Sequence, residues 1–180
     1  MATETLKIGS PLPKFSDLTG VDGKKYSVTD FKNKIVVVVF SCNHCPYVKA
    51  YEDRIIAFQK EYSGRGVQLV AINANETQNY PEDNYEGMVE RAKAKGFNFP
   101  YLRDEDQSVA ASFGATHTPE FFVFDDKRAL RYHGKFDDNH QNPQAVKSRY
   151  VQDAVEALLN AKEVATPETF SIGCTIKWKY

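Results

Sequence analysis

The stretch IVVVVFSCNHCPYVKAYEDRI, residues 35–55, decides how the rest of the chain reads. Residues 35–40 are an unbroken run of β-branched and aromatic side chains. With no polar alternation, such a run suits a central strand buried on both faces, as in a parallel sheet. After Ser41 the pattern changes. Cys45, Val48, Tyr51, Ile55, Phe58 and Tyr62 recur at spacings of three or four, while Lys49, Glu52, Asp53 and Lys60 fall mostly off that line. This is the apolar face of one helix. Cys42 and Cys45 therefore stand where a buried strand gives way to a helix.

That position has chemical consequences. The free N–H groups and the positive dipole end of a helix favour an anion, and a thiolate is one. The expectation is a lowered pKa for Cys42, with Cys45 one turn into the helix, more buried and less reactive. Cys42 would attack a substrate disulfide, and Cys45 would then resolve the mixed disulfide. His44, between them, can hydrogen-bond or place positive charge near the Cys42 sulfur, stabilising the reduced form and making the disulfide more oxidising. Asn43 offers an amide donor. Pro46 has no N–H to lose and suits a first helical turn. A zinc half-site is the competing reading, but such a site needs four ligands. Only Cys174 and scattered histidines remain to supply them, so no metal and no cofactor are expected.

Outward from this junction the chain reads as alternating elements. Residues 9–34 form an N-terminal hairpin that turns at GVDGK, followed by a short helical turn at VTDF. VQLVAIN, from Val67, is a second buried strand. After the polar loop ANETQNYPEDN come a helix at NYEGMVERAKAKG, stopped by Gly96, a short strand in FNFPYLRD, and a short helix stopped by Gly114. Residues 121–124 and 129–133 pair across the turn DDKR. NPQAVKSRYVQDAVEALLN reads as one helix, with Asn142 as N-cap, Pro143 at its first position, and Val146, Tyr150, Val151, Ala154 and Leu158 facing inward. Residues 161–180 are a tail without periodicity, which Phe170, Trp178 and Tyr180 would pin to the body. Strand–helix alternation ending in a hairpin implies an α/β fold, a mixed central sheet with helices on both faces.

The 180 residues suit a single domain, 1–180, with a core of ordinary size. A net charge of −1 argues against nucleic-acid or anionic-membrane partners, and the apolar run of six is far too short to span a bilayer. The N-terminal residues lack a basic region followed by an apolar one, so a cytoplasmic location is expected. Three cysteines, Cys42, Cys45 and Cys174, are too few for a disulfide scaffold. In a reducing compartment a close pair points to catalysis or metal.

A strand, Cys-x-x-Cys-Pro at the mouth of a helix, and a later Thr-Pro before a strand together resemble the thioredoxin-like superfamily. The Asn-His inside the motif is similar to the Pro-His of bacterial periplasmic disulfide oxidants. The extra helix and strand at residues 85–102 look like the insertion of membrane-anchored thioredoxin-like reductases and of peroxiredoxins. LRYHGK and the later GCTIKWK resemble a cytosolic peroxiredoxin-like (AhpC/TSA-related) subgroup that keeps a Cys-x-x-Cys. The resemblance runs from Ile8 to the C-terminus. It implies a thioredoxin-like fold with an inserted helix–strand unit, and a cis peptide at Thr118-Pro119 beside the cysteines. There the Thr118 backbone would pair with an extended substrate segment. His117 and Glu120 flank that loop and are candidates for proton transfer.

The chain also departs from the pattern. Thioredoxins bury an acid in the core strand, where Val36 stands here, and place Trp before the first cysteine, where Ser41 stands. Peroxiredoxins need a Thr at the position of Val39. The resulting expectation is a thiol–disulfide oxidoreductase acting on protein or small-molecule disulfides and thiols, with an electron donor that the sequence does not identify. The alternatives are a thiol peroxidase and a non-catalytic redox-sensing or binding module. Cys174 would act as a third thiol only if the fold brings it within disulfide reach of Cys42 or Cys45. Oligomeric state is not legible.

Overall fold

The computed structural model describes residues 4–179. At its centre lies β3 (Ile35–Phe40), every residue of which is buried. It pairs in parallel with β4 (Val67–Asn73), Val37 opposite Leu69, and antiparallel with β7 (Glu120–Phe124), Val37 opposite Val123. The alternation of a strand then sends its side chains to two separate cores. Ile35, Val37 and Val39 join Tyr51, Ile55, Phe58 and Tyr62 of α1 (Pro46–Tyr62) and Val151, Ala154 and Val155 of α4 (Tyr150–Leu159). Val36, Val38 and Phe40 join Val109, Ala110 and Phe113 of α3 (Ser108–Phe113) and Leu12, Phe15 and Phe31 of the N-terminal segment. Each buried Val or Phe here is worth about 1.5–3 kcal/mol over leaving it in water, which is why an all-apolar strand can only be central.

The remaining strands extend the sheet on both sides. β1 (Leu18–Gly20) and β2 (Lys25–Tyr26) make the expected hairpin, β5 (Tyr101–Arg103) runs parallel to β4, and β8 (Leu130–Gly134) returns antiparallel to β7. The order is β2-β1-β5-β4-β3-β7-β8. The inserted unit is α2 (Tyr85–Lys95) with β5; Asn84 caps its start by accepting from Gly87 N, and Gly96 ends it in the left-handed region. Outside the main sheet, β6 (His117–Thr118) pairs with β9 (Cys174–Thr175). Among the described residues, no helix is long and apolar enough to cross a membrane.

Two local expectations are corrected. The helix expected from Asn142 is split. Asn142 does cap, accepting from Gln144 N, but only a 3-10 turn, Pro143–Ala145, follows, and Val146 is already extended. The Asp138 carboxylate accepts from Lys147 N at 2.9 Å, and Asp138 N donates to Ser148 O at 3.1 Å. These bonds hold the backbone out of a helix until Tyr150. In the tail, Trp178 packs on the second core as expected, but Phe170 is 92% exposed and pins nothing; Tyr180 lies outside the described residues.

Candidate active site

The end of β3 and the start of α1 are separated by a short non-helical bridge. Helix α1 begins at Pro46, and its N-cap is Cys45, not Cys42. The geometry therefore reverses the expected electrostatics. The helix end acts on Cys45, and the Val48 N–H, at the third helical position, favours its anion without completing a full capping hydrogen bond. The largest effect is the hydrogen bond from Cys42, which with smaller ones from Cys174 and the Val48 N–H outweighs burial, so Cys45 is held below the usual thiol pKa. Cys42 goes the other way. The proton it shares with Cys45, its burial and the nearby Asp83 carboxyl all push its thiol up, and the Thr118 hydroxyl offsets this only in part. The pair thus shares one proton, with the charge favoured on the residue at the helix end.

Both cysteines are free and buried, at 2% and 0% exposure. They meet the cis-proline loop through one residue. Cys42 Sγ lies 3.5 Å from Thr118 Oγ1, and Cys45 Sγ lies 3.4 Å from the Thr118 carbonyl oxygen, to which it donates when protonated. The Thr118-Pro119 peptide is cis, as the resemblance implied. Cys174, expected only as a possible third thiol, is brought to 2.7 Å from Cys45 Sγ. Burial and the neighbouring Cys45 push its own thiol up to about 11.

Asn43 is turned away from the sulfur role expected of it, whereas a His44 ring nitrogen stays within 4.8 Å of Cys42 Sγ. Asn43 donates from its amide to the Glu82 carbonyl and accepts from Tyr101 Oη, and its backbone N–H donates to Asp83 Oδ1 at 2.7 Å. It is an anchor, not a donor to the thiol. The His44 ring stacks on Tyr80, and its Nδ1 lies 2.7 Å from Asp83 Oδ2 and 3.6 Å from Glu82 Oε1, at ion-pair distance without hydrogen-bond alignment.

Glu120 holds hydrogen bonds through both of its oxygens. One oxygen accepts from the backbone N–H groups of Thr116 and His117, and the other meets His133 Nε2 at 2.5 Å. Burial opposes its ionisation, but the bond to His133 and the two N–H donors outweigh it and hold its carboxyl below the usual range. It braces the loop on which Thr118 sits. His117 Nδ1 contacts Thr116 Oγ1 at 2.8 Å.

Asp83 is the residue that sequence reasoning missed. It lies in a 3-10 turn, Pro81–Asp83, of what read as a polar loop, yet it is fully buried. Oδ1 accepts from Asn43 N and from Asn73 Nδ2 at 3.2 Å, and Oδ2 from Asn75 Nδ2 at 3.0 Å. The one faint signal was the density of asparagine in NANETQNYPEDN, since a buried carboxyl must be surrounded by donors. Ligand atoms of Cys42, His44 and Asp83 lie within 4.8 Å of one another. Both Asp83 oxygens also hold hydrogen bonds, so the trio is part of a wider polar network set against a thiol. It places a buried carboxyl, from the turn that precedes α2, beside Cys42.

A central mixed sheet, with a cis-proline loop set across the Cys-x-x-Cys at the β3–α1 junction, gives the chain a thioredoxin-like fold. More particularly, residues 7–149 match the Redoxin family, and the chain belongs to it. Thiol-disulfide oxidoreductase ResA of Bacillus subtilis (strain 168) is 28% identical over 120 residues, covering 67% of this chain and 63% of the relative. The match thus spans less than two thirds of that relative's length. A hypothetical protein of Sinorhizobium meliloti 1021 has a solved structure that is 38% identical, with a TM-score of 0.91 over 98% of this chain and 97% of that one. A conserved protein of Geobacillus kaustophilus is 39% identical, with a TM-score of 0.91 over 96% and 93%.

Proposed function

We propose that the protein is a thiol–disulfide oxidoreductase working through Cys42 and Cys45. The observation that carries this reading is the convergence of both sulfurs on Thr118 beside a cis proline. The names of its Bacillus relatives support it. Cys42 Sγ attacks one sulfur of a substrate disulfide as a thiolate, passing its proton to the surrounding polar network. A mixed disulfide forms, and the substrate's other sulfur leaves as a thiolate. Cys45 then attacks Cys42 Sγ, the second substrate sulfur departs, and the protein holds a Cys42–Cys45 disulfide. In the second step Cys45, at the N-terminal end of α1, is the sulfur whose anion the helix end favours. Substrates are protein or small-molecule disulfides and thiols, with an external thiol donor restoring the pair. Insulin reduction by dithiothreitol, followed by turbidity, tests the reading. Cys42→Ser should abolish catalysis and Cys45→Ser should trap the mixed disulfide; a fully active Cys42→Ser protein would refute it.

One observation favours a second reading, a thiol peroxidase. The hydroxyl missing at Val39 is replaced from another element by Thr118 Oγ1, 3.5 Å from Cys42 Sγ. Stopped-flow oxidation of Cys42 by hydrogen peroxide decides. A rate no faster than that of a free thiolate removes the peroxidase.

A further inference from the structure

The edge of the cis-proline loop, where an extended substrate would add as a strand, is already filled by this chain. β9 pairs antiparallel with β6, placing Cys174 opposite Thr118 and Thr175 opposite His117. Ile176 N continues the ladder to Thr116 O at 2.9 Å. The tail therefore sits as a bound peptide would, and its sulfur-bearing residue lies over the cysteine pair, with Cys174 Sγ 2.7 Å from Cys45 Sγ. The fit is specific. A side chain at Gly173 would run into the Thr118 carbonyl, so only glycine lets the tail approach this closely. Past the cysteine, Lys177 N donates to Asn75 Oδ1, Lys177 O accepts from Glu76 N and Gln107 Nε2, and Lys179 N donates to Gln107 Oε1. These anchors fix the register, and a one-residue slip would turn Cys174 to the opposite face.

We propose that Cys174 is a third redox thiol, presented by the tail as a built-in substrate strand, which takes over the disulfide formed by Cys42 and Cys45. This rests on the oxidoreductase reading above. Cys174, losing its proton, attacks Cys45 Sγ of the Cys42–Cys45 disulfide. The Cys45–Cys174 bond forms as the Cys42–Cys45 bond breaks, and the electron pair leaves on Cys42 Sγ, which takes up a proton. The exchange consumes no oxidant or reductant. It moves the disulfide outward, because Cys174 is the one half-exposed thiol of the three, and it returns Cys42 to the reduced state while the protein as a whole stays oxidised. An external thiol donor then meets a disulfide it can reach.

The test is disulfide mapping. Cys42→Ser protein, with Cys42→Ala as a second variant, is equilibrated in glutathione redox buffers, blocked with N-ethylmaleimide and digested for mass spectrometry. The expected result is a Cys45–Cys174 cross-linked peptide and the loss of two maleimide additions, in a monomer-sized species. Both thiols staying labelled in buffers that oxidise the wild type would overturn the relay. In a kinetic arm, reduction of oxidised Cys174→Ser protein by glutathione should be about tenfold slower than that of the wild type; equal rates would also overturn it. If the same Cys174→Ser protein forms no Cys42–Cys45 disulfide, the oxidoreductase reading fails, and that result is distinct from loss of the relay.

Discussion

Replacing Asp83 with asparagine isolates the contribution of the buried acid to the thiol. Its carboxyl lies within 4.8 Å of Cys42 Sγ, in surroundings from which water is excluded. At that distance, with an effective dielectric constant of about 20, two like charges repel by about 3.5 kcal/mol. Removing the carboxylate therefore favours the Cys42 thiolate by up to about 2.5 pH units on its titration midpoint. Relaxation of the asparagine network, and water following the neutral amide, return part of this. The expected net fall is roughly one unit, a tenfold gain in thiolate at fixed pH. The assay is thiolate absorbance at 240 nm against pH in a Cys45→Ser/Cys174→Ser background, with and without Asp83→Asn, so that a single sulfur titrates. The substitution also destabilises the protein, because the new amide turns a donor toward Asn43 N or Asn75 Nδ2, at about 1–3 kcal/mol for each group left unpaired. Titration is therefore run well below the unfolding transition. A midpoint that stays put or rises would refute the electrostatic reasoning, whatever happens to stability.

Further outcomes follow from the loop and the tail. Glu120 has its pKa depressed in the folded protein. Its contribution to stability is therefore complete above the unfolded glutamate value near 4.3 and is lost as pH falls through the lower folded value. Glu120→Gln should lower the urea midpoint at neutral pH and flatten the decline of stability below about pH 4; matching acid slopes would contradict the assignment. Gly173→Ala forces a Cβ against the Thr118 carbonyl and the Pro119 nitrogen. It should cost about 1–3 kcal/mol as overpacking and release β9, so that maleimide labels Cys174 faster. Unchanged labelling and melting temperature would show that the tail does not need the close approach.

Much of the fold was legible from local pattern. The apolar run at residues 35–40, the three-and-four spacing of α1 and the glycine stops at Gly96 and Gly114 each carry their own signature, because burial on two faces, burial on one face and a left-handed backbone select different residues. The split at Val146 was not legible, since the bonds from Asp138 that break the helix come from another segment. Nor was the site's charge placement. Residues 42–46 read as a helix mouth at Cys42, but the helix opens at Pro46, a shift of one turn that moves the dipole from one sulfur to the other.

The sequence by itself determined that two cysteines would stand at a strand end with a helix behind them, because hydrophobic periodicity is written residue by residue along the chain. Only the tertiary structure decided what surrounds them. Asp83, Thr118 and Cys174 come from segments about 40, 75 and 130 residues away, and no local pattern records which distant side chains meet. A carboxyl in a polar loop rich in asparagine becomes fully buried once that loop folds over Asn43. A tail without periodicity becomes a strand because the cis-proline loop offers it unpaired backbone groups. Contact between such segments is settled by packing and hydrogen-bond satisfaction across the whole fold, which is where this site acquires its chemistry.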